Sequence, residues 1–377
     1  SNAIGESGAT ETLRPLSQLR EKYGLALWRF RVSHVAQGTP GMEPVFLSRG
    51  ARSVGLSQVD RAGLHALAEG AARRVLHDLR LSRDSQTHTP QETMSDALAA
   101  YSLWQYATYA GNGELAADTR VLLSRLGAEL HGGATTAKNP AVCAMVSLIA
   151  TAVCDAEQYE QAVSGAGSDE KIRTPESCSL ARKTLITTIE AFLPGTGFDE
   201  TVPAALRPLA VLNFVDAWRL DKAHPGCATP FDPSAIEKTA RAALSSELAT
   251  AQTSGLVAKL PWLGWAAVRM PGDDDVQGAV AFRQMRSEVW KHQLSPLDAG
   301  ADNADMVGGI VFASGSVSRL PTWQTVRPIA FIATMLGDDR LTEPAERDLE
   351  TYRLLAAFRF VRQLQVDDSC GWMCPNP

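Results

Sequence analysis

Arg207-Pro208-Leu209-Ala210-Val211-Leu212-Asn213-Phe214-Val215 is apolar on almost every face of a helix, and the next helical stretch, Ser234-Ala235-Ile236-Glu237-Lys238-Thr239-Ala240-Arg241-Ala242-Ala243-Leu244, is apolar on one face only. A helix apolar all round is buried on several sides, whereas a one-sided helix covers a core from outside. This pairing decides the fold, because it recurs along the chain. An X-Pro pair opens the first helix of each unit: Thr89-Pro90, Asn139-Pro140, Val202-Pro203, Leu260-Pro261 and Leu320-Pro321, with successive prolines 50, 63, 58 and 60 residues apart. Proline suits a first helical turn, where its missing N–H has no partner to lose and its fixed φ already fits.

The turns that close these helices are alike as well: Gly111-Asn112-Gly113-Glu114, Pro271-Gly272-Asp273-Asp274 and Gly337-Asp338-Asp339-Arg340. Arg207-Pro208-Leu209-Ala210 returns as Arg327-Pro328-Ile329-Ala330, 120 residues on. Pro208 and Pro328 predict a kink or a late helix start. Repeated helix pairs of this length mark a helical array. Buried first helices ringed by amphipathic second ones describe an α/α toroid, since an open solenoid would make both helices of a pair more alike. The expected fold is therefore mostly α, an α/α toroid of five to six helical hairpins over about residues 56–366. Its first helix is predicted to start at a Ser57 cap and to carry Val59, Leu64, Leu67, Ala71, Val75 and Leu79 at helical spacing.

The chain resembles the α/α-toroid superfamily, which holds six-hairpin glycosidases, polysaccharide lyases, uronyl epimerases, terpene cyclases and prenyltransferase β-subunits. The resemblance is one of architecture, and no family's catalytic motif is matched. It implies a site at the end where the inner helices begin, among the loops 81–92, 131–139, 194–202, 251–260 and 293–320.

The first fifty residues read differently. Trp28-Arg29-Phe30-Arg31-Val32 alternates at period two, Gly38-Thr39-Pro40-Gly41 is turn chemistry, and Val45-Phe46-Leu47 is a second apolar run. They predict a short N-terminal β-hairpin at 25–35 and 43–49, packed on the helical region because a lone hairpin is marginal in water. The expected divisions are a tag remnant (Ser1-Asn2-Ala3) and linker over 1–12, the hairpin over 13–55, the toroid over 56–366 and a tail over 367–377.

Composition excludes several classes. The 377 residues carry 36 Lys+Arg against 42 Asp+Glu, a formal charge of −6, which argues against a nucleic-acid binder. With 45% hydrophobic and 21% charged residues the chain is an ordinary globular one. No apolar run is expected to approach the roughly 20 residues that span a bilayer. Native sequence opens at Ile4 without Met, which predicts a removed leader and an extracytoplasmic protein, periplasmic or secreted, with a cytoplasmic one as the alternative. Six cysteines fit an oxidising compartment or a reducing one. Cys143 and Cys154, eleven apart on one helix and so about 16 Å apart, cannot pair with each other.

Candidate chemistry gathers in the loops that lead into the inner helices. Asp199, Glu200 and Asp305 are the candidate acid and base for hydrolysis, elimination or epimerisation. Arg207, Arg327, Trp262, Trp323, Asp302, Glu92 and Asp96 are the candidate substrate-binding residues, because tryptophan faces suit sugars and arginines suit acidic glycans. Each has a structural role that would also explain it: a carboxylate on a helix dipole, a tryptophan in the core, an arginine in a salt bridge. Asp273-Asp274-Asp275 reads as a helix cap, and the acidic motif that binds diphosphate through magnesium is absent. The histidines do not cluster, so no metal and no cofactor is expected. The expectation is a protein that binds or processes a glycan, acidic glycans included, at the toroid mouth. A toroid that binds a protein or peptide partner is the alternative, and an isoprenoid-cyclase-like enzyme the weaker one.

Overall fold

The computed structural model describes residues 34–36, 45–48, 51–52, 59–82, 89–131, 139–164, 176–192, 204, 206–223, 228–251, 256–270, 276–299, 305–311, 321, 323–336 and 341–364. Over these the protein is mostly α. In chain order the helices are α1 (Arg61–Ser82), α2 (Pro90–Ala110), α3 (Gly113–His131), α4 (Pro140–Ser164), α5 (Glu176–Phe192), α6 (Arg207–Ala223) and α7 (Pro233–Ala251), then α8 (Leu256–Lys259), α9 (Trp262–Arg269), α10 (Val276–Lys291), α11 (Pro296–Ala299), α12 (Val326–Met335) and α13 (Arg347–Gln363). Three short strands, β1 (His34–Ala36), β2 (Val45–Ser48) and β3 (Ala51–Arg52), pair antiparallel in that order. Most of the first arm expected at 25–35, the turn at 38–41, the acidic triple 273–275 and the tail 367–377 lie outside the described residues.

Local chemistry sets the helix starts. Thr89 Oγ1 accepts from the Glu92 N–H at 3.3 Å while the Glu92 carboxylate accepts from the Thr89 N–H at 2.7 Å, a reciprocal cap in front of Pro90. Asn139 Oδ1 accepts from the Ala141 N–H at 3.0 Å in front of Pro140. At the end of α2, Gly111 takes φ 63°, which glycine adopts without a Cβ clash, and Asn112 Oδ1 accepts from Leu115 N–H at 3.0 Å to start α3. Asp60, not Ser57, caps α1, its Oδ1 accepting from Gly63 N–H at 2.7 Å; Ser57 lies outside the described residues. Helices α6 and α12 open at Arg207 and Val326, so Pro208 and Pro328 fall in their first turns. Both prolines produce a late start and no kink.

Helices α2, α4, α6, α9 and α12 contact one another in sequence, and α3, α5, α7, α10 and α13 each lie on the helix before. Burial follows this division. Pro208 to Trp218 of α6 are all buried, whereas α7 buries Ile236, Ala240, Ala243 and Leu244 along one face. Gly264 makes room between α9 and α12: a Cβ there would stand 2.5 Å from the Phe331 ring. On the outer side, Trp290 Nε1 donates to the buried Glu350 carboxylate, with Arg286 Nε 3.6 Å away, tying α10 to α13.

Helix α4 corrects one expectation. Pro140–Glu160 is long and apolar enough by length and composition to cross a membrane. Its apolar run, Ala141 to Cys154, is interrupted by Ser147 and Thr151. In this structure Val142, Val146, Ile149, Ala150 and Val153 are buried, and α2, α5 and α6 cover the helix.

Candidate functional site

A cleft of about 420 Å³ opens toward the C-terminal ends of α2, α4, α6 and α9. Helix α6 supplies its electrostatic centre. Asp216 stands in a buried, mostly apolar run, where an unpaired carboxylate would be costly, and two guanidinium groups meet it. Arg269 Nη1 reaches its two oxygens at 3.1 and 3.3 Å, and Arg219 Nη1 reaches Oδ1 at 3.2 Å. Arg219 Nη2 also lies 3.7 Å from Asp155 Oδ2 on α4.

Aromatic groups fix this cluster in place. The Arg269 guanidinium lies 5.7 Å from the centroid of the Trp265 ring. Trp265 in turn donates from Nε1 to Thr334 Oγ1 at 3.1 Å. The Tyr101 ring stands 6.3 Å from Trp265, joining α2 to α9 across the cleft. Burial pushes the Tyr101 hydroxyl above its ordinary value, with Arg269 pulling it down and Asp216 pushing it up. At neutral pH that hydroxyl keeps its proton and can donate. Burial disfavours the charge on Arg269, but Asp216 and Tyr101 outweigh it and hold the guanidinium firmly protonated.

The remaining wall is mixed. Trp104, Gln105 and Thr108 come from α2; Thr151, Asp155 and Tyr159 come from α4. Tyr159 is exposed at the rim, and Thr151 is buried with its Oγ1 making no hydrogen bond. A smaller hollow of about 330 Å³ lies between α3, α4 and α5, where Arg120 pairs with Glu157 at 3.2 Å and Ser177 Oγ donates to the same carboxylate. Among the described residues no group of three His, Cys, Asp or Glu side chains is placed to hold a metal ion.

The residues expected from the sequence are placed elsewhere. Glu92 is exposed and completes the α2 cap, and Asp96 pairs with Arg125 at 2.6 Å. Trp262 packs edge-on against Trp265, with ring centroids 5.4 Å apart. Arg207 is half-buried at the first residue of α6. Arg327, at the second residue of α12, has its pKa lowered by burial, and among the described residues no hydrogen bond or ion pair holds it. Trp323 opens the 3-10 turn that precedes α12. Asp199, Glu200 and Asp302 lie outside the described residues.

Asp305 belongs to a well-anchored segment. Its carbonyl accepts from Gln363 Nε2, and Arg359 Nη2 donates to Val307 O at 3.3 Å. Leu294 N–H donates to Gly309 O and Gly308 N–H to Leu294 O, each at 2.9 Å, and Ile310 N–H donates to Thr325 Oγ1 at 3.1 Å. Residues 305–311 are thus fastened to α13 and to the turn before α12.

Sequence reasoning passed over Tyr101, Thr151, Asp155, Asp216, Arg219 and Arg269. A signal for part of this group was present: Asp216 and Arg269 are charges at the ends of two apolar inner stretches, Leu209–Val215 and Trp262–Val268. No protein-family model, no curated protein and no solved structure matches this chain.

Proposed function

We propose that the chain is an extracytoplasmic α/α toroid, five to six helical hairpins preceded by a β-hairpin, and that it binds a glycan in the cleft between α2, α4, α6 and α9. The ring closure is supported at two places. Arg362 Nη1 on α13 donates to Gly63 O on α1 at 3.0 Å, and Tyr101 meets Trp265 between α2 and α9. An oxidising compartment is supported by Cys178, which is disulfide-bonded.

One observation carries the glycan reading: Tyr101, Arg219, Arg269, Asp155 and Gln105, contributed by four helices, converge in one cleft beside the Trp104 and Tyr159 rings. Sugars need donors and acceptors around their edges together with an aromatic surface for their apolar faces, and this wall offers both. The polar lining does not support an isoprenoid ligand. An exposed Tyr159 at the rim would also serve a peptide partner, and the same assay separates the two.

The test is a panel of soluble oligosaccharides scored by calorimetry for binding and by reducing or unsaturated ends for turnover. Binding should weaken about tenfold in Gln105→Ala and Tyr159→Ala, which remove exposed groups from the wall without touching the core. New chain ends would add catalysis. Silence across the panel, with binding to a peptide library, would replace the glycan by a polypeptide.

A further inference from the structure

We infer that the cleft takes the end of a sugar chain and not its middle, with the Thr151 hydroxyl meeting the terminal unit at the floor; this rests on the glycan reading above. Burial along the walls carries the first half. On α2, Thr108 and Gln105 are exposed, while Trp104 and Tyr101, further in, are buried. On α4 the lining runs from Tyr159, 71% exposed, inward to Thr151 and Leu148, 5% and 4% exposed. On α6, Arg219 is half-buried and Asp216 is buried.

Three helices thus share one gradient. The cleft opens at their C-terminal ends and, among the described residues that line it, closes inward. An internal stretch of a chain has to leave its site on two sides, whereas a chain end needs one way in. The volume agrees: about 420 Å³ lies toward the lower end of the roughly 300–1,000 Å³ typical of ligand sites.

Thr151 supplies the second, independent indication. Helical threonines elsewhere in the protein satisfy themselves by donating to the carbonyl four residues back: Thr108 to Trp104 O at 2.9 Å, Thr119 to Leu115 O at 2.8 Å, Thr188 to Thr184 O at 2.8 Å. Thr151 lines the cleft at its buried level, and its Oγ1 has no hydrogen-bond partner. A buried hydroxyl left without a partner is destabilising. A terminal sugar carries hydroxyls that an internal unit has lost to its linkages, and any of them can both donate to Thr151 and accept from it. Thr151 and Tyr159 stand two turns apart on one face of α4, about 12 Å at 1.5 Å per residue. A chain end seated on Thr151 therefore passes the Tyr159 ring as it leaves for solvent.

The experiment titrates the wild type and Thr151→Val by calorimetry with linear malto-, cello-, xylo- and chito-oligosaccharides and with short and long fractions of the series that binds. Protein bound at saturation should follow the number of chains and not their mass. Reducing the end aldehyde to an alcohol separates the two ends: lost binding assigns the reducing end, kept binding the other, and either supports the inference. Thr151→Val keeps the shape and removes the hydroxyl. It should weaken binding about fivefold, the scale of one hydrogen bond, with the melting temperature unchanged because that hydroxyl bonds to nothing within the protein. Bound protein that grows in proportion to chain length overturns the inference and leaves the glycan reading intact. An affinity unchanged in Thr151→Val does the same, since Thr151 would then face water only. Silence toward every series overturns both.

Discussion

Two polar residues on α6 divide the work of the protein. Asn213, three residues before Asp216, is buried and spends its amide on structure: Nδ2 donates to Ala144 O at 3.1 Å and to Leu209 O at 2.9 Å, and Ser147 donates to its Oδ1. Asp216, one turn further on, reaches the cleft and its arginines. The cysteines divide similarly. Burial pushes the Cys143 thiol up to about 11 and the Cys154 thiol, aided by Asp155 and Glu157, up to about 12, both from an ordinary 9.0. A folded pKa above the unfolded one favours the protonated native state, so this contribution is complete below pH 9 and is lost as pH rises through 11 and 12. At pH 8 neither thiol should react with a disulfide reagent until the protein is unfolded. Because Cys178 is disulfide-bonded, denatured but unreduced protein should release at most four of its six thiols in a thiol titration. A count of six would remove the support for an oxidising compartment.

Between elements the tightest meeting is that of α9 with α12. Gly264 stands where a Cβ would lie 2.5 to 2.8 Å from three carbons of the Phe331 ring, and that ring is fully buried against Phe282 at a centroid distance of 5.4 Å. Gly264→Ala should therefore destabilise the protein by about 1–3 kcal/mol through overpacking, although alanine is the better helix former. Urea unfolding measures it, and an unchanged midpoint would mean that the two helices can separate. Because Trp265 follows Gly264 and carries the Arg269 contact, the same variant should also weaken any ligand in the cleft. Gly308 meets a harder constraint, with φ 91° and the Ala356 carbonyl 2.1 Å from where a Cβ would be. It fixes residues 305–311 onto α13, which makes that part of the long loop a structural tie.

For the whole molecule the telling contact joins the two ends of the described helical region. Arg362 on the last helix donates to the Gly63 carbonyl on the first, 299 residues away in sequence. If the helices close into a ring, loosening this contact should free α1 before anything else. Arg362→Ala is expected to speed amide hydrogen exchange across the first turns of α1 while leaving α4 and α6 protected. Uniform acceleration would instead indicate a global loss of stability, and no change would show that the ends are joined by other contacts.

The sequence by itself determined the helical character, the alternation of buried and covering helices, and the starts of α2, α4 and α9, whereas α6 and α12 begin several residues after Pro203 and Pro321. These are decided by contacts within a few residues: Thr89 with Glu92, Asn139 with Ala141, proline in a first turn. Such local rules also had limits, as Asp60 replacing Ser57 at the start of α1 shows, and the apolar run of α4 proved long enough to cross a membrane by length and composition. The cleft was decided by tertiary structure alone. Tyr101, Asp155, Asp216 and Arg269 lie on four helices spread over more than 160 residues, and nothing in their spacing brings them together. What does so is the order in which the helices pack, set by the shapes of buried side chains, and the pairing of a buried Asp216 with Arg269, 53 residues on, beside the local Arg219.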